Sequence, residues 1–156
     1  MLTITPDYRQ FITEALPVTL LGLATIFFIA MLPKSAYLDV AMAVMAFLVI
    51  LKMFLIYATL TSYSWEIGNE KIRRIHGILT KQTDYIELYR VVDYRETQTL
   101  LQRILGIKTV SIISTDKSDQ IMLIKGVPAK TDLVSYTRNL VEQNKKQRHV
   151  YEIANR

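Results

Sequence analysis

The chain has 156 residues, about one domain's worth, and its 51% hydrophobic and 21% charged content excludes an intrinsically disordered chain. It has no cysteine and two histidines, which excludes disulfides, thiolate metal sites and cysteine nucleophiles and leaves little scope for a histidine-built metal site. The net charge is +5, and residues 1–60 balance Arg9, Lys34 and Lys52 against Asp7, Glu14 and Asp39, so the whole excess falls in residues 61–156.

Residues 15–32 (ALPVTLLGLATIFFIAML) carry no charge, and Phe11 and Ile12 extend the run past Glu14. A helix needs about 20 residues to cross a ~30 Å hydrocarbon layer, so a first span is expected over residues 12–32. A second apolar run covers residues 37–60, with Asp39 near its start and Lys52 near its end. The link Pro33-Lys34-Ser35-Ala36 stops one helix and caps the next. So short a link makes the two helices antiparallel neighbours, and residues 1–60 read as a transmembrane hairpin. A cleaved signal peptide is the weaker alternative. The segment before the run carries Asp7 and Glu14 instead of a basic region, and the apolar core is too long. A buried helical pair in a soluble domain is weaker still, because too little chain remains to cover both helices. Lys71, Arg73, Arg74 and Lys81 follow the second run, whereas the link offers only Lys34. That asymmetry predicts both termini in the cytoplasm.

Lys52 is the one basic residue well inside a predicted span. As a functional residue it would line an ion or proton path in a small oligomeric channel or transporter subunit. The plainer reading, which we favour, is a side chain that snorkels to the head groups from ~12 Å inside the second helix's end. Pro17 near the start of the first helix costs little or bends it mildly. Thr19, Gly22, Ala43 and Ala46 are small enough for close helix packing, and no G-x-x-x-G motif points to membrane dimerisation.

Residues 61–144 read as a small β domain closed by a helix. Residues 63–67 and 71–75 form a hairpin across Gly68-Asn69. Residues 78–80 with 83–88 suggest a bent third strand, and residues 89–96 a fourth. Residues 99–105 are helical in spacing and stop at Gly106, and residues 108–114 and 120–124 are strands joined by a polar turn. Gly126 and Pro128 then break the pattern. Over residues 130–144, Leu133, Val134, Thr137, Leu140 and Val141 share one helical face, as in a helix that covers an opening of a sheet or barrel. Residues 145–156 are a basic polar tail.

Little in this chain speaks for catalysis. It has no glycine-rich phosphate loop, no G-x-S-x-G and no H-E-x-x-H. His76 and His149 lie far apart in sequence, and His76 reads as an ordinary strand residue. The pairs Asp84/Glu87 and Asp93/Glu96 are three apart, which on a strand puts the carboxylates on opposite faces. Asp116 and Asp119 flank a turn and lack the further ligands of a calcium loop. We therefore expect no enzyme, no catalytic residue, no metal site and no cofactor. Lys71, Arg73, Arg74 and Lys81 are the best candidate binding set, for anionic lipid head groups or a partner. Against this stands the plainer reading of topology-setting charge on a solvated strand. Nucleic acid is not expected, since no recognition motif accompanies the charge. Tyr63 and Trp65 suit either an interfacial aromatic belt or the β-domain core.

The run YSWEIGNEKIRRIHGILTKQTDYIELYRVVDYRETQTLLQRILGIKTVSII, followed by a strand and IKGVP before a helix, resembles the bacterial pleckstrin-homology-like family of small membrane proteins, the second bacterial PH type. The resemblance covers residues 63–141, and the preceding apolar helices fit that family's layout. Glu87 departs from a usual proline and Lys108 from a second glycine after Gly106. The resemblance implies a membrane α-helical hairpin plus an α+β PH-like domain: two antiparallel sheets, or a partly open barrel, capped by a C-terminal helix. It transmits no ligand and no site. The expected function is a non-catalytic interaction or assembly module on the cytoplasmic face of a bacterial inner membrane. Its partners would be membrane lipids, other membrane proteins or further copies of itself. An anionic-lipid sensor using residues 71–74 is the first alternative.

Overall fold

The computed structural model describes residues 1–33, 35–116 and 120–147. Lys34 of the link, Asp119 and His149 lie outside them. The first residues do something the sequence did not suggest. Leu2–Ile4 form a strand, β1, before the first helix begins. Asp7 ends this segment and caps that helix, its carboxylate accepting from the Arg9 N–H at 2.9 Å. Helix α1 then runs Tyr8–Ala30 and α2 runs Ala36–Ser62. At ~1.5 Å per residue these 23 and 27 residues reach about 35 Å and 40 Å, both longer than a ~30 Å hydrocarbon core. Pro17 therefore stands in the body of α1 and not near its start. The two helices pack tightly at Gly22, which is buried; a Cβ there would overlap the Val49 side chain. Thr19 is half-buried and turns its hydroxyl back onto Ala15 and Leu16 carbonyls, while Ala43 is exposed and Ala46 half-buried.

A strand follows α2 almost at once. β2 (Ser64–Ile67) alternates half-buried and buried residues, and Gly68 turns the chain into β3 (Lys71–His76). Gly77 sits at φ +112°, a region costly to any residue with a Cβ, and residues 78–80 make a tight turn instead of opening a strand. β4 (Gln82–Glu87) pairs back on β3 in register Arg74↔Asp84 and Ile72↔Ile86. The first sheet has the order β1-β2-β3-β4, with Leu2 opposite Ile67 and Ile4 opposite Trp65. A short 3-10 turn, Leu88–Arg90, leads to the second sheet. This holds β5 (Val91–Thr97), β6 (Ile107–Ser114) and β7 (Ile121–Pro128), all antiparallel. Helix α3 (Leu100–Leu105) sits between β5 and β6, opened by a capping box of Thr99 and Gln102 and closed by Gly106 in the left-handed region.

β7 does not break at Gly126. That residue takes φ +71° and forms a bulge, so Val110 pairs with Ile124 but Lys108 with Val127. The strand continues to Pro128. Helix α4 (Leu133–Gln147) closes the domain and extends through Lys145 and Lys146, which the sequence reading had placed in the tail. Asp132 caps its first turn by accepting from the Ser135 N–H at 3.0 Å. The core lies between the sheets. Trp65, Ile67, Ile72 and Ile86 meet Val110, Ile112, Met122 and Ile124, with Leu133 and Val141 of α4 across the opening. The architecture is a long helical pair joined to two antiparallel sheets, not closed into a barrel, under a C-terminal helix.

Candidate functional site

Strand alternation decides what β3 does with its charges. Ile72 is fully buried, so Arg74 and His76 share its face, while Lys71 and Arg73 face the other way. Lys71, Arg73 and Arg74 each have a cross-strand partner. Arg73 is ion-paired to Glu66 of β2. Arg74 donates to Asp84 of β4 through Nε at 2.9 Å and Nη2 at 2.6 Å. Lys71 places its ammonium over the Tyr85 ring, 4.8 Å from the centroid. Lys81 is exposed in the chain leading from the residue 78–80 turn into β4. The four candidate residues thus divide between two faces and a turn, and three of them are engaged within the sheet.

On the inner face the side chains form a compact array. Tyr63 lies between Trp65, at 5.6 Å, and His76, at 5.5 Å, with the rings near parallel. Of the two readings for Tyr63 and Trp65, core packing is the one observed: Trp65 is 1% exposed. His76 Nε2 is 2.9 Å from Asp84 Oδ2, the oxygen that Arg74 also engages. Burial opposes ionisation of Asp84, but hydrogen bonds and charge from Arg74 and His76 outweigh it and hold its carboxyl below the usual carboxylate range. His76 is thus a strand residue, as expected, and its ring makes a structural contact with Asp84.

The densest polar array lies where α1 meets the domain. Lys125 of β7 donates to Glu14 Oε1 at 3.2 Å. Gln10 Nε2 donates to the same oxygen at 2.9 Å. Gln102 Nε2 of α3 donates to Gln10 Oε1 at 3.0 Å and to Thr109 Oγ1 of β6 at 3.0 Å. Gln10 and Gln102 are 4% and 5% exposed, so the part of this spine that joins α1 to α3 and β6 lies inside the protein, while its Lys125–Glu14 end reaches the surface. Backbone contacts reinforce it. The Asp7 N–H donates to the Gly126 carbonyl at 3.0 Å, and Arg9 Nη1 donates to the Leu105 carbonyl at 3.1 Å. Gly126 is required here, because a Cβ would press on the Asp7 nitrogen and on Gln10. With β1 in the first sheet, both ends of α1's base are fixed to the domain.

Two clefts flank this joint. One, of about 260 Å³, lies between Glu14, Leu60, Trp65, Arg74 and Lys125, and the buried Trp65 Nε1 at its wall has no hydrogen-bond partner. The other, of about 440 Å³, is lined by the aromatic residues Tyr8, Phe11, Tyr57 and Tyr63. A third, between α2 and the residue 78–80 turn, is almost wholly apolar, with Phe54, Leu55, Ile78 and Leu79 along it. Lys52 is exposed on α2, and none of the ion pairs among the described residues involves it. Lys108, one of the departures from the family pattern, is buried and paired to Glu96 at 2.7 Å. No cluster of three or more metal-ligating side chains occurs among the described residues. Sequence reasoning missed Gln10, Gln102 and Gly126. The Thr99-x-x-Gln102 spacing was the one available signal, and it marks a helix start, not the reach to α1.

A family described as the bacterial PH domain matches residues 17–138. That range holds both long helices, save the base of α1 and its cap, and both sheets, save β1. No curated protein and no solved structure matches the chain.

Proposed function

The chain belongs to the bacterial PH domain family, and on that premise we propose that it is a membrane-anchored, non-catalytic interaction module that acts through protein partners or self-association. Domains of this kind are generally non-catalytic. Two helices long and apolar enough to span a bilayer associate this one with a membrane. We place it in the bacterial inner membrane with both termini in the cytoplasm; the excess of basic residues after α2 and the pairing of β1 with the domain support that orientation. The observation that carries the reading is the joint between α1 and the domain. A PH-like unit on a slack tether would sample many orientations. This one is fixed by a strand, a polar spine and two backbone contacts, so it presents one constant face beside the bilayer. On that face α3 leaves Leu100 81% and Ile104 80% exposed, one helical turn apart and next to the base of α1. A partner held in the same membrane meets such a ridge at high effective concentration.

Native mass spectrometry of the full-length protein, released gently from its own membrane, tests this. A discrete homo-oligomer or a complex with a second protein is expected, and Ile104→Glu should shift it toward monomer. A monomer carrying bound anionic lipid would overturn the assembly reading in favour of lipid sensing, with Lys71–Arg74 as the next target.

A further inference from the structure

The geometry points to a third bilayer contact besides the two helices: the turn of residues 77–80 is a wedge that inserts its Ile78 and Leu79 side chains into the lipid. The inference rests on the membrane reading above and adds to it a part of the folded domain.

Leu79 is 99% exposed and Ile78 51% exposed, side by side at the tip of a turn that contains no charged residue. In water such a tip is unfavourable, and nothing in the turn's backbone demands apolar side chains. Its shape is set by Gly77, where a Cβ would overlap the Thr80 carbonyl, so the tip is presented in one geometry. The location of the tip selects the occupant. The turn lies along α2 at Phe54, Leu55 and Thr59, leaving an apolar cleft between. The depth of those residues follows from the hairpin. Gly22 meets Val49, and in antiparallel helices Glu14 and Tyr57 lie equally far from that contact, so they share a level. Glu14 is ion-paired to Lys125 of the domain and marks the polar side of the boundary. Phe54 and Leu55 lie two to three residues below Tyr57, ~3–5 Å further into the hydrocarbon. A turn seated against them reaches the zone where interfacial segments bury their apolar faces. Lys81 follows immediately, exposed and placed to meet the head groups above.

The chain has no native cysteine, so single-cysteine variants need no altered background. Leu79→Cys, Phe47→Cys in the α2 span and Glu70→Cys at the far end of the β2–β3 hairpin are spin-labelled in the full chain. They are then reconstituted into vesicles of mixed zwitterionic and anionic phospholipid. Electron paramagnetic resonance measures collision with oxygen, which concentrates in lipid, and with a nickel chelate, which stays in water. The oxygen-to-nickel ratio at Leu79 should exceed that at Glu70 several-fold and resemble that at Phe47. A water-like Leu79 beside a lipid-like Phe47 overturns the wedge and leaves the membrane reading standing. A water-like signal at both sites overturns the membrane reading itself. A Leu79 label shielded from both reagents overturns the wedge as well, because the tip is then covered by protein.

Discussion

Asp84 joins two basic side chains of the neighbouring strand through one carboxylate oxygen. It accepts from Arg74 and meets His76, whose ring stacks on Tyr63 above the buried Trp65. Its carboxyl titrates below the usual range, so its contribution to stability is complete above the unfolded value near ~4 and is lost as pH falls through the lower folded value. Urea unfolding followed from about pH 6 to about pH 3 should show that loss. In Asp84→Asn the acid branch should be shallower, and stability at neutral pH should be lower. An unchanged acid branch would mean that other carboxylates dominate it. The ends of this arrangement were legible as residue types: a basic strand, two aromatics and an acid on the next strand. Their pairing was not. It depends on the register Arg74↔Asp84, and the sequence reading had given the preceding turn residues 78–80 to the strand.

At the scale of elements, α3 is six residues long and would be marginal alone. It is held by Gln102, whose Oε1 accepts from the Thr99 N–H while its Nε2 donates to Gln10 and Thr109. Gln102→Ala removes the reciprocal cap and leaves Gln10 Oε1 buried without that donor. A loss of ~1–3 kcal/mol is expected from a newly unpaired buried polar group, measured as a lower unfolding midpoint in detergent. The strands and helices with strong periodicity were readable because one face of each is buried. β1 was not, since three residues cannot establish a period and its partner lies more than sixty positions away. β7 was cut short at Gly126 for a related reason. A glycine in a strand pattern signals a bulge as well as a stop, and here the bulge makes room for the base of α1.

For the whole molecule, hydropathy alone divides the chain into an apolar helical pair over residues 1–60 and a domain beyond it. That division does not describe the packing at the N-terminus. Leu2 and Ile4 pack against the domain core, and Gln10 and Glu14 tie α1 to α3 and β7. A fragment of residues 61–147 leaves that face of the sheet uncovered. It should unfold at lower temperature than the full chain in detergent, and a synthetic peptide of residues 1–10 should restore part of the difference. A fragment as stable as the full chain would mean that the joint contributes nothing to folding. The helical pair was legible because its two apolar runs are long and nearly free of charge. The joint was not, because its glutamines and single ion pair carry no motif.

The pairing of Leu2 with Ile67 also bears on how the protein is made. β1 leaves the ribosome long before β2, and on the proposed membrane reading the two can meet only if the intervening helices deliver them to the same side of the bilayer. A nascent chain that inserted one helix and failed to return the other would strand β1 across the bilayer from its partner. The first sheet would lack an edge, and Gln102 and Lys125 would face an empty seat. On the proposed membrane reading, the return of the second helix and the completion of the first sheet become one event, and a chain that inserted only one helix would keep an unfinished sheet.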